Sequence, residues 1–206
     1  MPHTSLSFSE IRYDYFNGNT TVENLLQLLV QKIEGRGEDG VWISLIPNNE
    51  IVERAKELDA LPNAEKAKLP LFGLPFSVKD CIDVAGLPTT SACPEFKYQA
   101  TRTNLAVQRA LDAGAILIVK TNMDQFATGV VGTRAPFGIA KNPFNADYIP
   151  GGSSSGSAVS VSAGLCAFSF GTDTGGSGRV PPSYNNIIGL KPTLGLLGRV
   201  DMVNAS

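Results

Sequence analysis

The sequence predicts an α/β fold, and three observations support this. A helix pattern from Asn104 to Ala113 stops at Gly114 and is followed at once by the apolar run Ala115 to Thr121. A continuous apolar run of this length indicates a strand that is buried on both faces of a sheet. Two more β-favouring segments, FSVKD and CAFSFG, precede loops rich in glycine, serine or proline. Open α/β sheets place their ligands at such strand ends.

The first helices are predicted from spacing. Leucines recur at helical intervals between Val22 and Ile33, and Thr20 and Glu23 are spaced as a capping box. A second helix is predicted from Glu50 to Leu61, because its charges and apolar residues follow the same period and a proline comes directly after it. The first segment is thus predicted to be an amphipathic helix, and the second a helix that Pro62 terminates.

The remaining elements alternate in the same way. Val41 to Ile46 is a short apolar run of strand type, and FSVKD is a strand that ends near Lys79. Frequent glycine, proline and asparagine predict irregular backbone between residues 129 and 156. The small residues from Ser157 to Ala163 predict a closely packed helix, and Cys166 to Gly171 predicts a buried strand.

Length and composition restrict the class of protein. The chain has 206 residues, 43% of them apolar, which fits a single domain over residues 1–206 with its own core. Lysine and arginine total 17 against 19 acidic residues, without a basic cluster, so nucleic acid is not an expected partner. The most apolar stretch, residues 158–170, is too short to span a bilayer and contains serines, and the first residues lack the unbroken apolar core of a signal peptide. These features predict no membrane partner and a cytoplasmic location.

Cysteine and histidine usage excludes several kinds of site. The three cysteines are odd in number and form no CxxC pair, so neither a disulfide framework nor a zinc site is indicated. The one histidine, His3, lies in the terminus, so a hydrolase that uses histidine as its base is not expected. We therefore expect no metal and no cofactor, and any nucleophile must use another base.

Two loops carry the strongest chemical signal: GGSSSGS at 151–157 and GTDTGGSGR at 171–179. Glycine loops can bind phosphate, but neither loop has the spacing of a P-loop or of a dinucleotide site. In the alternative interpretation, a serine of the second loop attacks a carbonyl. Successive N–H groups at Thr174, Gly175, Gly176 and Ser177 would then stabilise the oxyanion. Without a histidine, the base would be a carboxylate or a neutral lysine, and Lys79, at the end of a buried strand, has the required setting.

The order VKD, GGSSSGS, GTDTGGSGRVP resembles the signature of the amidase signature family over residues 71–197. The resemblance implies a mixed central sheet covered by helices and a Ser, cis-Ser, Lys triad. Lys79 would be the base, Ser153 the bridging serine after a cis peptide bond, and Ser177 the nucleophile. The carboxylate and guanidinium of Asp173 and Arg179 match fixed positions of the signature and are interpreted as holding the loop.

Within the family, TNMDQFATGVVGTRAPFG and SGRVPPSYNNIIGLKPT resemble allophanate hydrolase, which cleaves urea-1-carboxylate to ammonia and carbon dioxide. The resemblance implies a small-molecule amide substrate and an acyl pocket lined by Ala127 to Gly129. It also implies a longer catalytic domain, so the domain is expected to be incomplete at its carboxyl end.

Alternatives stay open at this point. They are a glutaminase or amidotransferase A-type subunit, an inactive truncated homologue, a nucleotide-binding module, and a Cys-Lys-Glu amidase that uses Cys81 or Cys166. A homodimer is one open oligomeric state.

Overall fold

The computed structural model describes residues 6–204 and confirms the α/β fold; the predicted location of His3 lies outside these residues. The six strands are β1 (Trp42–Leu45), β2 (Pro75–Lys79), β3 (Pro88–Thr89), β4 (Tyr98–Gln99), β5 (Ile116–Thr121) and β6 (Phe168–Phe170). The main sheet has the order β1-β5-β2-β6. β5, β2 and β6 run parallel and β1 runs antiparallel to β5, so the sheet is mixed. β3 and β4 form a separate antiparallel pair.

The described α-helices lie before, between and after the strands. They are α1 (Phe8–Phe16), α2 (Val22–Glu34), α3 (Asn48–Asp59), α4 (Asn63–Lys66), α5 (Leu105–Asp112), α6 (Ser155–Ser162) and α7 (Val180–Tyr184). Two single turns of 3₁₀ helix lie at Pro94–Phe96 and Gln125–Ala127. The predicted strands and the predicted helices 22–33, 50–61, 104–113 and 157–163 are all present, with shifts of at most two residues at their ends.

One predicted cap is displaced by a residue. The cap of α2 is Thr21, whose hydroxyl accepts the N–H of Asn24 at 3.1 Å, and not Thr20. Asp59, the last residue of α3, accepts the N–H groups of Val22 and Glu23 at 3.0 and 2.9 Å. The side chain of Glu23 is therefore not needed for a capping box, because a carboxylate from another helix satisfies the first turn.

Alternation along β5 gives the sheet its two covered faces. Ile116 and Ile118 pack into one core cluster with α2 and α3, whereas Leu117 packs with Val107 of α5 in a second cluster. Successive side chains of a strand point to opposite faces, so a strand covered on both sides reads as continuously apolar.

Helix α6 contacts the sheet through hydroxyl groups. The Oγ atoms of Ser77 and Ser160 lie 2.9 Å apart, and those of Thr121 and Ser157 lie 2.8 Å apart. A Cβ atom on Gly156 would lie 2.1 Å from the carbonyl oxygen of Val41. The small residues of α6 therefore allow its backbone to approach the sheet closely, and this fixes the position of the loop that precedes it.

Candidate active site

Lys79 is the last residue of β2 and is fully buried. It projects to the same face as Ser77, two residues earlier, and Ser77 contacts α6. Its Nζ therefore reaches the segment before α6 and donates to Ser153 Oγ at 2.7 Å. It also donates to Thr172 Oγ1 at 2.7 Å, at the end of β6. The structure thus brings together two of the three residues of the predicted triad.

The environment of Lys79 favours its neutral form. Burial lowers the pKa of Lys79 from its usual value, and the negative charges of Asp124 and Asp173, with any charge on Cys81, oppose the shift. Its two hydrogen-bond partners are neutral hydroxyls, which compensate an ammonium group less well than a carboxylate would. A lysine in this setting can accept a proton.

Ser153 lies directly before the N-cap of α6. The peptide bond between Gly152 and Ser153 is cis, at the place where the family resemblance put it. The flanking backbone is held on both sides: Asp124 N–H donates to Ser153 O at 3.1 Å, and Gly152 N–H donates to Val130 O at 2.8 Å. The serine hydroxyl is therefore presented to Lys79 from a fixed turn.

Asp124 was missed by the sequence analysis as a member of the site. It is fully buried and its carboxylate accepts the N–H groups of Gly132 at 3.0 Å and Arg134 at 2.9 Å. A Cβ atom on Gly152 would lie 2.0 Å from Asp124 Oδ2, so the carboxylate packs directly against that glycine. Its position three residues after the predicted strand 115–121, at the carboxyl end of the sheet, was the signal that could have found it.

Ser177 lies in the loop after β6, and only 5% of its surface is exposed. Within residues 6–204 the hydroxyl of Ser177 has no hydrogen-bond partner. Its oxygen is not completely buried and therefore reaches solvent. No hydrogen bond joins it to Ser153 in this part of the chain. The loops themselves are joined, because Ser154 Oγ donates to Thr172 O at 3.3 Å.

Asp173 and Arg179 form the internal support of that loop. Arg179 donates from Nε and Nη2 to the two oxygens of Asp173 at 2.8 and 3.0 Å. The hydrogen bond from Arg179 lowers the pKa of Asp173, and backbone N–H groups of the loop contribute in the same direction against some burial. The two side chains thus lie where a loop-holding role requires them.

The predicted oxyanion donors differ in availability. Gly176 N–H donates to Asp173 Oδ1 at 2.8 Å and is therefore engaged in the loop. In the described chain, the N–H groups of Thr174, Gly175 and Ser177 have no acceptor. A Cβ atom on Gly175 would meet nothing within 4 Å, so there is open space beside this backbone.

Ala127 and Gly129 lie in a tight loop around Asp124. Ala127 N–H donates to Asp124 O at 2.9 Å, and Phe126 and Ala127 have positive φ angles of 50° and 57°. A Cβ atom on Gly129 would lie 2.6 Å from Asp124 Oδ2. The predicted pocket loop is therefore attached to the residue that holds the Ser153 turn.

The thiol alternatives have a different setting. Cys81 and Cys166 are buried, and burial raises the pKa of both thiols, that of Cys166 to about 12. A buried thiol with a raised pKa is a poor nucleophile near neutral pH.

Across residues 6–204 no group of three or more potential ligands among His, Cys, Asp and Glu gathers as a metal site. No described helix combines the length and apolar character that crossing a membrane requires.

Comparison with known proteins identifies the family of the chain. Residues 24–206 match the family described as Amidase. The urea amidolyase of Lachancea kluyveri is 47% identical over 92% of this chain, and the A subunit of glutamyl-tRNA(Gln) amidotransferase from Acidobacterium capsulatum is 40% identical over 90%. The solved structure of Kluyveromyces lactis allophanate hydrolase superposes with a TM-score of 0.71 at 48% identity over 81% of this chain. The chain spans 10%, 39% and 28% of the lengths of these three proteins. By its motifs, its fold and this match, the chain belongs to the Amidase family, the family of the amidase signature.

Proposed function

We propose that this chain carries the catalytic residues of an amidohydrolase that acts on allophanate, with Ser177 as nucleophile, Ser153 as proton bridge and Lys79 as base. The observation that carries the proposal is the contact between Lys79 and Ser153. A fully buried lysine lies 2.7 Å from a serine hydroxyl at a cis peptide bond, with no carboxylate in hydrogen bond to it. A lysine with only a structural role would gain little stability from burial beside neutral hydroxyls. A general base needs such surroundings, because they lower its pKa.

The proposed acylation step moves one proton along the three residues. Ser177 Oγ attacks the amide carbonyl carbon while its proton passes to Ser153 Oγ, and the proton of Ser153 passes to neutral Lys79 Nζ over the 2.7 Å contact. When the tetrahedral intermediate collapses, the C–N bond breaks and the proton returns by the same path to the leaving nitrogen, which departs as ammonia. Water then attacks the acyl carbon and its proton passes through Ser153 to Lys79; the bond from this carbon to Ser177 Oγ breaks, the acid is released, and the proton returns through Ser153 to Ser177 Oγ.

The negative charge on the carbonyl oxygen would be stabilised by the open N–H groups of the second loop. Thr174, Gly175 and Ser177 each have an N–H group without an acceptor in the described chain. We assign the engaged N–H of Gly176 to loop support, since it already donates to Asp173. Removing one such donor costs about 10²- to 10³-fold in rate in other hydrolases.

The choice of allophanate is supported by similarity to a urea amidolyase and an allophanate hydrolase. Ala127 and Gly129 would line the acyl side of the substrate, beside Asp124. Glutamine hydrolysis, as in an amidotransferase A-type subunit, is the second candidate, because the Acidobacterium capsulatum subunit is 40% identical over 188 residues. In either case we propose that residues 1–206 form a single, partial amidase signature domain.

Ammonia release from allophanate, glutamine and simple amides, measured with the purified chain, tests reaction and substrate together. We expect release from allophanate and its loss in Ser177→Ala. Lys141→Met, at an exposed lysine, is the matched control and should keep the full rate. An unchanged rate in Ser177→Ala would refute the triad. Faster release from glutamine would favour the amidotransferase alternative, and no release from any amide would favour an inactive homologue.

A further inference from the structure

A second buried lysine lies next to the site but takes no part in the proposed reaction. Lys120 of β5 and Asp80, the residue after Lys79, are both fully buried, and Nζ lies 3.6 Å from Asp80 Oδ1. Asp80 projects to the opposite face from Lys79, since successive side chains of an extended chain alternate. The pair therefore cannot exchange protons directly with Ser153, and its burial requires another explanation.

The two side chains together hold the segment Pro88 to Ala92. Asp80 Oδ2 accepts from the N–H and hydroxyl of Thr90 at 3.0 and 2.6 Å, and from Ala92 N–H at 3.4 Å. Lys120 Nζ donates to Pro88 O at 2.8 Å and to Thr89 Oγ1 at 2.9 Å. The Asp80–Lys120 pair thus connects the carboxyl ends of β2 and β5 to the segment Pro88 to Ala92.

That segment in turn holds the predicted pocket loop. Ser91 O accepts Phe126 N–H at 2.9 Å, and Ala92 O accepts Gln125 Nε2 at 3.2 Å. Ser91, Ala92, Phe126 and Ala127 all have positive φ angles between 50° and 57°. Residues other than glycine adopt this conformation only where surrounding contacts impose it. The two turns are joined to each other by these hydrogen bonds, and they depend on Asp80 and Lys120, which hold the first of them.

We propose that Asp80 and Lys120 are a positioning pair that sets the 125–129 loop against the acyl side of the substrate. The effect on catalysis rests on the proposed function. The coupling between the Asp80–Lys120 pair and the 125–129 loop rests only on the hydrogen bonds described above. Asp80→Asn tests it with little change of volume. The side chain of an asparagine has one oxygen and one NH₂ group. In one orientation the NH₂ group faces Lys120, and in the other it faces the N–H and hydroxyl donors of Thr90, so one of the two contacts is lost in either case.

Hydrogen exchange of the loop is the first measurement. In Asp80→Asn, exchange in residues 124–130 should be faster by about tenfold or more, whereas exchange in α2 should not change. Thr90→Val is a milder second variant, which leaves the ion pair intact and removes one hydroxyl, and it should speed the same segment to a smaller extent. Asp59→Asn is the matched control, because that carboxylate also accepts two backbone N–H groups, in α2. It should speed the start of α2 and leave 124–130 unchanged.

Kinetics supply the second measurement. For Asp80→Asn we expect KM for the amide to rise by roughly 10-fold or more, while labelling of Ser177 by phenylmethanesulfonyl fluoride keeps its rate within about twofold. A general loss of structure would lower labelling and turnover in proportion and would speed α2 as well. Unchanged exchange in 124–130, or an equal change in α2, would overturn the inference. Failure of the proposed function is a different result: wild-type Ser177 would resist labelling, and the exchange experiment would still decide the coupling.

Discussion

Replacing Lys79 by methionine should change how stability depends on pH, with a slope that follows from the burial of one amine. In the unfolded chain a lysine binds its proton up to a pKa of about 10.4. In the folded chain burial lowers the pKa of Lys79, so between the two pKa values the unfolded state holds one more proton. Stability must then rise with pH across this window, by up to about 1.4 kcal/mol per pH unit, and be flat above and below it.

The measurement is the difference in free energy of unfolding between wild type and Lys79→Met, from guanidinium chloride titrations at a series of pH values from 6 to 11. Contributions of groups that do not interact with Lys79, such as Lys120, cancel in the difference, whereas that of Cys81, whose pKa Lys79 lowers, does not. The variant should lose activity by roughly 10²- to 10⁴-fold, as expected for removal of a general base. Lys141→Met, at an exposed lysine, should give a flat difference and full activity. A flat difference for Lys79→Met would show that the lysine stays protonated when buried and would refute its assignment as a base.

Three further predictions follow from the same geometry. Ser153→Ala should lower kcat by roughly 10²-fold or more and leave the unfolding midpoint nearly unchanged, since it interrupts the proton path but removes only one neutral hydrogen bond. Gly152→Ala should destabilise the fold by about 1–3 kcal/mol or more, because the new Cβ would lie 2.0 Å from a buried carboxylate oxygen; Gly175→Ala, with nothing within 4 Å, is the control for stability by thermal unfolding. Arg179→Lys should lower kcat while the chain stays folded by circular dichroism, because a lysine cannot replace the two hydrogen bonds to Asp173; an unchanged kcat would mean that the loop keeps its shape without them.

The parts of the fold that could be predicted are those whose signal is local. The buried strand β5 is apolar at nearly every position, and Asn104 caps α5 by accepting the N–H of Ala106, so both elements can be predicted from the sequence. Helix α1 does not, because only Ile11 of its residues is buried. It is fixed by distant contacts, such as the edge-to-face packing of Tyr15 on Phe72. No periodic pattern within α1 encodes such a contact.

The same distinction applies to the site. Lys79, Ser153 and Ser177 could be named because their motifs occur in the family's order, and burial of the lysine followed from its place at a strand end. The place of Asp124 after a predicted strand could have marked it as a site residue, but its contact with Ser153, like that of Thr172 with Lys79, joins residues far apart in the chain. Hydrogen bonds across such separations leave no trace in local composition.

The hydroxyl contacts between α6 and the sheet also affect how the site responds to cooling. Burial of apolar surface gives unfolding a positive heat-capacity change, whereas burial of polar surface gives a negative one. The packing of α2 and α3 is apolar and should weaken as the temperature falls, but the contacts of Ser157 and Ser160 with the sheet should weaken less. On approach to cold denaturation, the outer helical layer should therefore loosen before α6, the helix that follows Ser153, leaves the sheet.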